Sequence, residues 1–365
     1  MIALPPPESL LQAVRDSCAA CTARSSILID REQVDAFILG IDERDWTPSD
    51  HGVRLPLAFE SVDDELNVLA TIALLNFLSG YRHALHRLTG RGAYSTILSL
   101  VLAAYLSSAP DASVLSASGM AAVTVAQLAD LARISTHTER QHPTLPVQIG
   151  EKDADAFEIL ELLVGVLRET GAVLHAQGCR SLGVWLRAAL NRADGHPGAL
   201  VHELASTFPA FRDVHAVDGE PVYLFKKALW LATVVSLRFE SETVPFKVPS
   251  LQGMPVFADN VLPTLLIHHR ILSLPTSALP ALSSLSLSDP STLALSTDSA
   301  TRLRAASVTA GAALVVRAHE LSLHEGKAWL SSWTEQRLDG WLWERAKGPA
   351  LCEVERVAER GTVYY

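Results

Sequence analysis

Through most of this chain the apolar residues recur every three to four positions and seldom at every second one. That period admits one class of fold, in which helices bury one face against each other. The spacing predicts helices over residues 8–23, 31–39, 63–77, 94–106, 125–132, 153–176, 182–190, 199–208, 223–239, 262–272, 300–323 and 325–343. The 94–106 segment is apolar almost all round, which implies a central position. Thr124 reads as the N-cap of the helix that follows it, and Gly178 as the end of the 153–176 helix. Ile27-Leu28-Ile29 has the composition of a short strand, and Asp218-Gly219 is the turn of a small hairpin. The expected fold is therefore mainly α, a single compact helical domain over residues 1–365 with at most a small β-hairpin or short strands. One subdomain boundary is offered by the Pro-, His- and Thr-containing link at 135–150. Residues 273–297, rich in Ser, Leu and Pro, read as a surface insertion without chemistry.

A hydrophobic content of 48% in 365 residues is ample for a core. The charge balance is acidic, 30 basic against 40 acidic residues, for a net −10. Such a surface repels phosphate backbones, so no stable grip on tRNA or DNA is expected, although a local basic pocket could still hold one phosphate. The first residues lack the basic start and apolar run of a signal peptide. The longest apolar stretch, 97–106, is interrupted by Ser99 and too short to span a bilayer. A soluble, cytoplasmic protein with no membrane partner is expected. Four scattered cysteines make no disulfide framework. Cys18-Ala-Ala-Cys21 has metal-ligand spacing but no second pair, and His83 and His86 have no third ligand nearby. One turn of an Ala-rich helix accounts for the cysteines, and no metal is expected. No Gly-x-Gly-x-x-Gly, P-loop or repeat of fixed period occurs.

Residues 251–263, Leu-Gln-Gly-Met-Pro-Val-Phe-Ala-Asp-Asn-Val-Leu-Pro, set one carboxylate, Asp259, among Val256, Phe257, Ala258, Val261 and Leu262. An acid withdrawn from water must find a partner, shift its pKa or serve a ligand. Two roles are open to Asp259: N-cap of the following helix, or functional acid.

Phe257-Ala258-Asp259 with Pro263 resembles the Phe-Ala-Asp signature of the queuosine salvage protein family, the queuosine 5′-phosphate N-glycosylases. Other segments resemble that family in the same order. They are Asn76-Phe77, Gly90-Arg91-Gly92-Ala93-Tyr94, Phe208-Pro209-Ala210-Phe211-Arg212-Asp213-Val214 and Tyr223-Leu224-Phe225-Lys226-Lys227-Ala228, followed by Leu338-Asp339-Gly340-Trp341-Leu342-Trp343 and Thr362-Val363-Tyr364-Tyr365. The resemblance spans nearly the whole chain. It implies a helical fold similar to that of helical DNA glycosylases, no cofactor, and cleavage of the N-glycosidic bond of queuosine 5′-monophosphate. Queuine would be released for tRNA modification, and ribose 5-phosphate left behind.

In that resemblance Asp259 falls on the catalytic aspartate, as nucleophile or as stabiliser of an oxocarbenium-like transition state. Asp339 matches an acid that grips the base, a carboxylate being suited to accept from the amide and exocyclic amine of a guanine edge. Glu344 falls on a second acid. The other reading is that both decorate a solvated helix face. Five residues at roughly 100° each set them about 140° apart on a regular helix, so Gly340 would have to permit a bend to bring them together. Phe257 is expected to pack on the base or to be a core phenylalanine. His86 lies near the family's substrate-contacting histidine, with a surface histidine as the other reading. Lys226 is the candidate for the 5′-phosphate or a snorkelling lysine. The chain departs from the family at Asn260-Val261, where Tyr-Arg is usual, at Thr264, where Gln is usual, at Gly340, where Tyr is common, and at Glu344, where Asp is common. These changes remove an orienting charge and a wall of the base pocket. They leave two alternatives: an N-glycosidase for another nucleotide, or a catalytically silent relative that binds a base.

Overall fold

The computed structural model describes residues 2–47, 49, 55–107, 113–142, 144–277 and 279–365. Among them are fifteen α-helices and three two-stranded antiparallel sheets, the mainly α fold that the three-to-four period predicts. No described helix is long and apolar enough to cross a membrane. Two compact units share the chain. One comprises Met1–Leu57, Leu190–Ser206 and Phe211–Glu359, the other Ala58–Ala189, Thr207–Ala210 and Arg360–Tyr365.

The first unit is built on the helix Thr297–His324, begun by the Ser296 hydroxyl, which accepts the Ser299 N–H. Its N-terminal half is buried on nearly every side. The helices Leu10–Arg24, Val261–His268 and Glu335–Arg345 pack against it. The helix Lys226–Phe239 is likewise buried almost all round. It starts later than residue 223 because Tyr223 closes a hairpin, Val214–Val217 paired with Glu220–Tyr223. Asp218 and Gly219 turn that hairpin with φ of 55° and 81°, the doubly left-handed pair that matches strand twist. Leu28–Ile29 finds its partner in Leu272–Ser273, so the helix expected over 262–272 ends at His268. The pattern over 325–343 is also two elements. A 3₁₀ segment, Ala328–Ser332, is followed by the helix Glu335–Arg345, where the Thr334 hydroxyl accepts the Arg337 N–H. Within 273–297 lie one turn of helix, Pro280–Ser283, and a 3₁₀ turn, Pro290–Thr292, while position 278 lies outside the described residues.

In the second unit, Val62–Leu75, Ala93–Ser107, Val125–Ala132 and Ala154–Ala176 are the main helices. Thr124 and Gln127 form a reciprocal capping box, and Asp153 caps the Ala154–Ala176 helix by accepting the Ala156 N–H. The Ala93–Ser107 helix buries only one side, Thr96, Ile97, Leu100, Val101 and Ala104, and Leu106 is 68% exposed, so the central position expected for it is not observed. The link at 135–150 is not where the contacts divide the chain. It belongs to a hairpin inside this unit, His137–Gln141 against Gln148–Lys152, with position 143 outside the described residues.

Candidate active site

Residues 254–260 belong to no strand or helix, so their peptide groups need partners from elsewhere. The helix Glu335–Arg345 supplies two from one face. Glu335 accepts the Val256 N–H at 3.3 Å, and one turn later Asp339 accepts the Phe257 N–H. Glu335 is in turn paired with Arg15 of the Leu10–Arg24 helix. From the opposite side the Arg304 Nε of the Thr297–His324 helix donates to the Ala258 carbonyl at 2.8 Å. A Cβ at Gly311 on that helix would lie 2.8 Å from both γ-methyls of Val256, so only glycine lets the segment come this close. Asp259 follows, and its Oδ1 accepts the Val261 N–H at 2.7 Å. The N-cap position itself falls to Asn260, whose side chain makes no cap bond, and Asp259 stands one residue earlier with one oxygen on the first helical N–H.

The same carboxylate has charged company. Lys226, at the first turn of Lys226–Phe239, is 3% exposed and lies in electrostatic reach of Asp259, Asp339 and Arg304. Burial pulls its ammonium down to about 8, with Asp259 and Asp339 resisting and Arg304 assisting. Asp339 is 7% exposed, and burial, reinforced by the charge of Asp259, pushes its carboxyl well above the usual range. The arrangement is a buried acid displaced toward its neutral form beside a second carboxylate and a weakened ammonium. Such a set can donate and accept protons near neutral pH. Lys227, next in sequence and also buried, is pushed well below an ordinary lysine by burial and then by Lys226, and its Nζ lies 5.6 Å from the Phe211 ring centre.

Beneath this group lies an ion pair that the sequence reading did not single out. Asp213 takes Arg304 Nη1 on Oδ1 at 3.1 Å and Arg304 Nη2 on Oδ2 at 2.5 Å, with both side chains almost fully buried. His215 Nε2 lies 3.0 Å from Oδ1, and the Lys226 N–H donates to Oδ2 at 3.2 Å. Burial alone would raise the Asp213 carboxyl, but Arg304 and His215 together outweigh it and hold the group far below the carboxylate range. One signal was available in sequence: Arg302 and Arg304 stand in an otherwise Ala-, Ser- and Leu-rich helical stretch, with no acid within three residues of Arg304. Asp213 lies in the Phe-Pro-Ala-Phe-Arg-Asp-Val run that resembles the family, which by itself assigns it no partner.

The remaining sequence candidates occupy several settings. Glu344 is exposed and pairs with Lys347 at 3.2 Å, since the Glu335–Arg345 helix runs unbroken through buried Gly340 and leaves the two acids on different sides. No break at Gly340 brings Asp339 and Glu344 together. Trp341, two residues past Asp339, faces a separate cavity of about 460 Å³ shared with Phe37 and His269. Phe257 is buried beside Asp339 through its own N–H. His86 is an exposed residue of the second unit, on the helix Arg82–Thr89, with its ring against Gly92. Thr264, where the resemblance has glutamine, is buried and does structural work, donating to the Asn260 carbonyl at 2.7 Å and accepting the Val357 N–H at 3.2 Å. Cys18 and Cys21 are buried thiols on the Leu10–Arg24 helix, as one helical turn places them. Among the described residues no group of His, Cys, Asp and Glu could hold a metal ion.

None of the curated proteins compared with the chain matches it. The family model described as queuosine salvage protein matches residues 92–365, which include Asp213, Lys226, Asp259, Arg304 and Asp339. The chain belongs to the queuosine salvage protein family.

Proposed function

We infer that the chain hydrolyses the N-glycosidic bond of queuosine 5′-monophosphate, a free small-molecule nucleotide, releasing queuine. Membership of the queuosine salvage family supports the metabolic role. The observation that carries the chemistry is the half-buried Asp259 gathered with buried Asp339 and Lys226 at one end of the 254–260 stretch.

As the base leaves, the ribose gains oxocarbenium character, and a carboxylate beside C1′ stabilises that charge or traps it as an ester. Asp259 takes this role through the oxygen not spent on the Val261 N–H. A 7-deazaguanine cannot be protonated at position 7, where carbon replaces nitrogen, so its departing charge must be met at another edge. Asp339, held neutral, is suited to give a hydrogen bond or a proton there. The C1′–N bond breaks, water supplies the oxygen that C1′ gains, and the water's proton ends on the base or returns to Asp339. Lys226 supplies the counter-charge of Asp259. A phosphate brought against Asp259 would be repelled, which argues against the phosphate role expected of this lysine. Phe257 flanks the acids as a candidate surface for the base.

The test is incubation with queuosine 5′-monophosphate and detection of free queuine by mass spectrometry, with Asp259→Asn as control. Release by the wild type, lost at least about 10²-fold in the variant, supports the reading. A folded wild type that releases nothing sinks it.

A second reading has one observation behind it, the Asp259 oxygen that accepts the Val261 N–H, a contact that needs no catalysis. A silent base-binding protein would bind queuine or its nucleotide without turnover, and equally well as Asp259→Asn.

A further inference from the structure

The Asp213–Arg304 pair reaches both charged elements of the candidate site, and we propose that it is a positioning device that sets Asp259 and Lys226 relative to each other. The inference rests on the glycosidase reading and goes beyond it, because neither residue need touch substrate.

Withdrawing two charges from water costs about as much as their attraction returns, so such a pair is an inefficient source of stability. What it supplies is direction. The guanidinium is a rigid planar fork, and here its edges serve two different chain segments. Nε holds the Ala258 carbonyl at 2.8 Å, which fixes the peptide linking Ala258 to Asp259. Nη1 and Nη2 hold Asp213.

Asp213 in turn organises the corner from which Lys226 projects. Its Oδ2 accepts the Lys226 N–H at 3.2 Å, and its main-chain carbonyl accepts the N–H groups of Leu224 and Phe225 at 3.1 and 3.3 Å. Phe225 stands at φ 50° and ψ 33°, left-handed for a bulky residue, a conformation that persists only where surrounding contacts impose it. That corner aims Lys226 into reach of Asp259 and Asp339. One rigid group therefore spans from the peptide before the carboxylate to the backbone of the ammonium, and the residue ordering Arg304, Ala258, Asp259 on one arm matches Arg304, Asp213, Lys226 on the other. In a reaction that depends on a carboxylate facing one sugar carbon, a displacement near 1 Å costs about 10²-fold in rate.

The experiment compares Arg304→Lys, which keeps the charge and loses the fork, and Asp213→Asn, which keeps the shape and loses the charge, with the wild type. Steady-state kinetics on queuosine 5′-monophosphate and crystal structures of each are measured. The expected result is folded protein, KM within about threefold of wild type and kcat lower by about 10²-fold. In the crystals the Asp259 carboxylate is expected to have moved relative to the Lys226 ammonium by roughly 1 Å. Folded variants with kcat unchanged, or with the loss confined to KM, overturn the proposal. So does failure of both variants to fold, since the pair is then a structural element and nothing more. A wild type inert on the nucleotide defeats the glycosidase reading alone, and the crystallographic displacement then decides the positioning role by itself.

Discussion

Lys226 and Asp339 leave their ordinary ionisation for the same reason, that the interior does not solvate charge, and their proton balances run in opposite directions. An unfolded Lys226 keeps its proton to 10.5, whereas the folded one releases it at about 8. Between those values the unfolded chain binds more protons, so this residue's contribution to stability is complete above 10.5 and is lost as pH falls through about 8. On the glycosidase reading its effect on rate has the other sign, because the counter-charge exists only below about 8. Base release is therefore expected to decline as pH rises through about 8, and a pH–rate profile of Lys226→Met to be low and to lack that limb. An unshifted limb in the variant assigns the titration to another group. Asp339 is the converse. Its folded form keeps a proton that the unfolded chain sheds near 3.8, so its contribution is present below that pH and is lost as pH rises. Asp339→Asn has no charge to bury and its amide oxygen can still accept the Phe257 N–H. It is expected to melt at or above the wild-type temperature at pH 8, with the advantage shrinking toward pH 5, while base release falls by about 10²-fold or more. A variant that melts lower at pH 8 contradicts the neutral acid.

The 254–260 segment depends on the face of the Thr297–His324 helix that Gly311 leaves bare. Gly311→Ala would set a methyl at 2.8 Å from the Val256 γ-carbons, in a core with no room to give. The expected cost is roughly 1–3 kcal/mol, read as a lower denaturant midpoint. Val256→Ala makes space for that methyl, so the double variant should lose less than the sum of the two single losses, and strict additivity would show that the two positions do not meet. This contact also shows what the sequence could and could not convey. Residues 31–39 and 125–132 were readable to the residue because Asp30 and Thr124 are caps with local partners. The Asp218-Gly219 hairpin was readable because its turn chemistry is local too. The hairpin at 137–152 was not, since all ten of its strand residues are exposed and no buried face imprints a period of two. The late start at Lys226 and the break before Glu335 were also hidden, one set by a left-handed Phe225 and the other by a Thr334 cap inside a continuous apolar rhythm. At the site, Asp259 and Asp339 could be singled out by motif. Arg304 stands out in the sequence only as a cation without a nearby acid, and its partners, 46 residues away at Ala258 and 91 at Asp213, become visible only once the chain has folded.

At the scale of the whole chain the governing quantity is its charge, 30 basic against 40 acidic residues. Queuosine enters this chemistry as a nucleotide of tRNA, so the substrate could be presented either within intact RNA or as a free monophosphate. Proteins that hold RNA do so largely by replacing its condensed counterions with Lys and Arg, and their grip tightens steeply as salt is lowered. A chain at −10 has the opposite expectation, with repulsion growing as the screening length lengthens from about 8 Å at 0.15 M salt to about 30 Å at 0.01 M. Fluorescence anisotropy with queuosine-containing tRNA should accordingly show no saturable binding at 0.15 M salt, and none appearing at 0.01 M. The enzymatic counterpart is sharper. Intact tRNA is expected to yield no queuine, and the same RNA digested to nucleoside 5′-monophosphates to yield it readily. Release from intact tRNA at a comparable rate would require a local basic surface strong enough to override the net charge, and would move the substrate from a nucleotide to a polynucleotide.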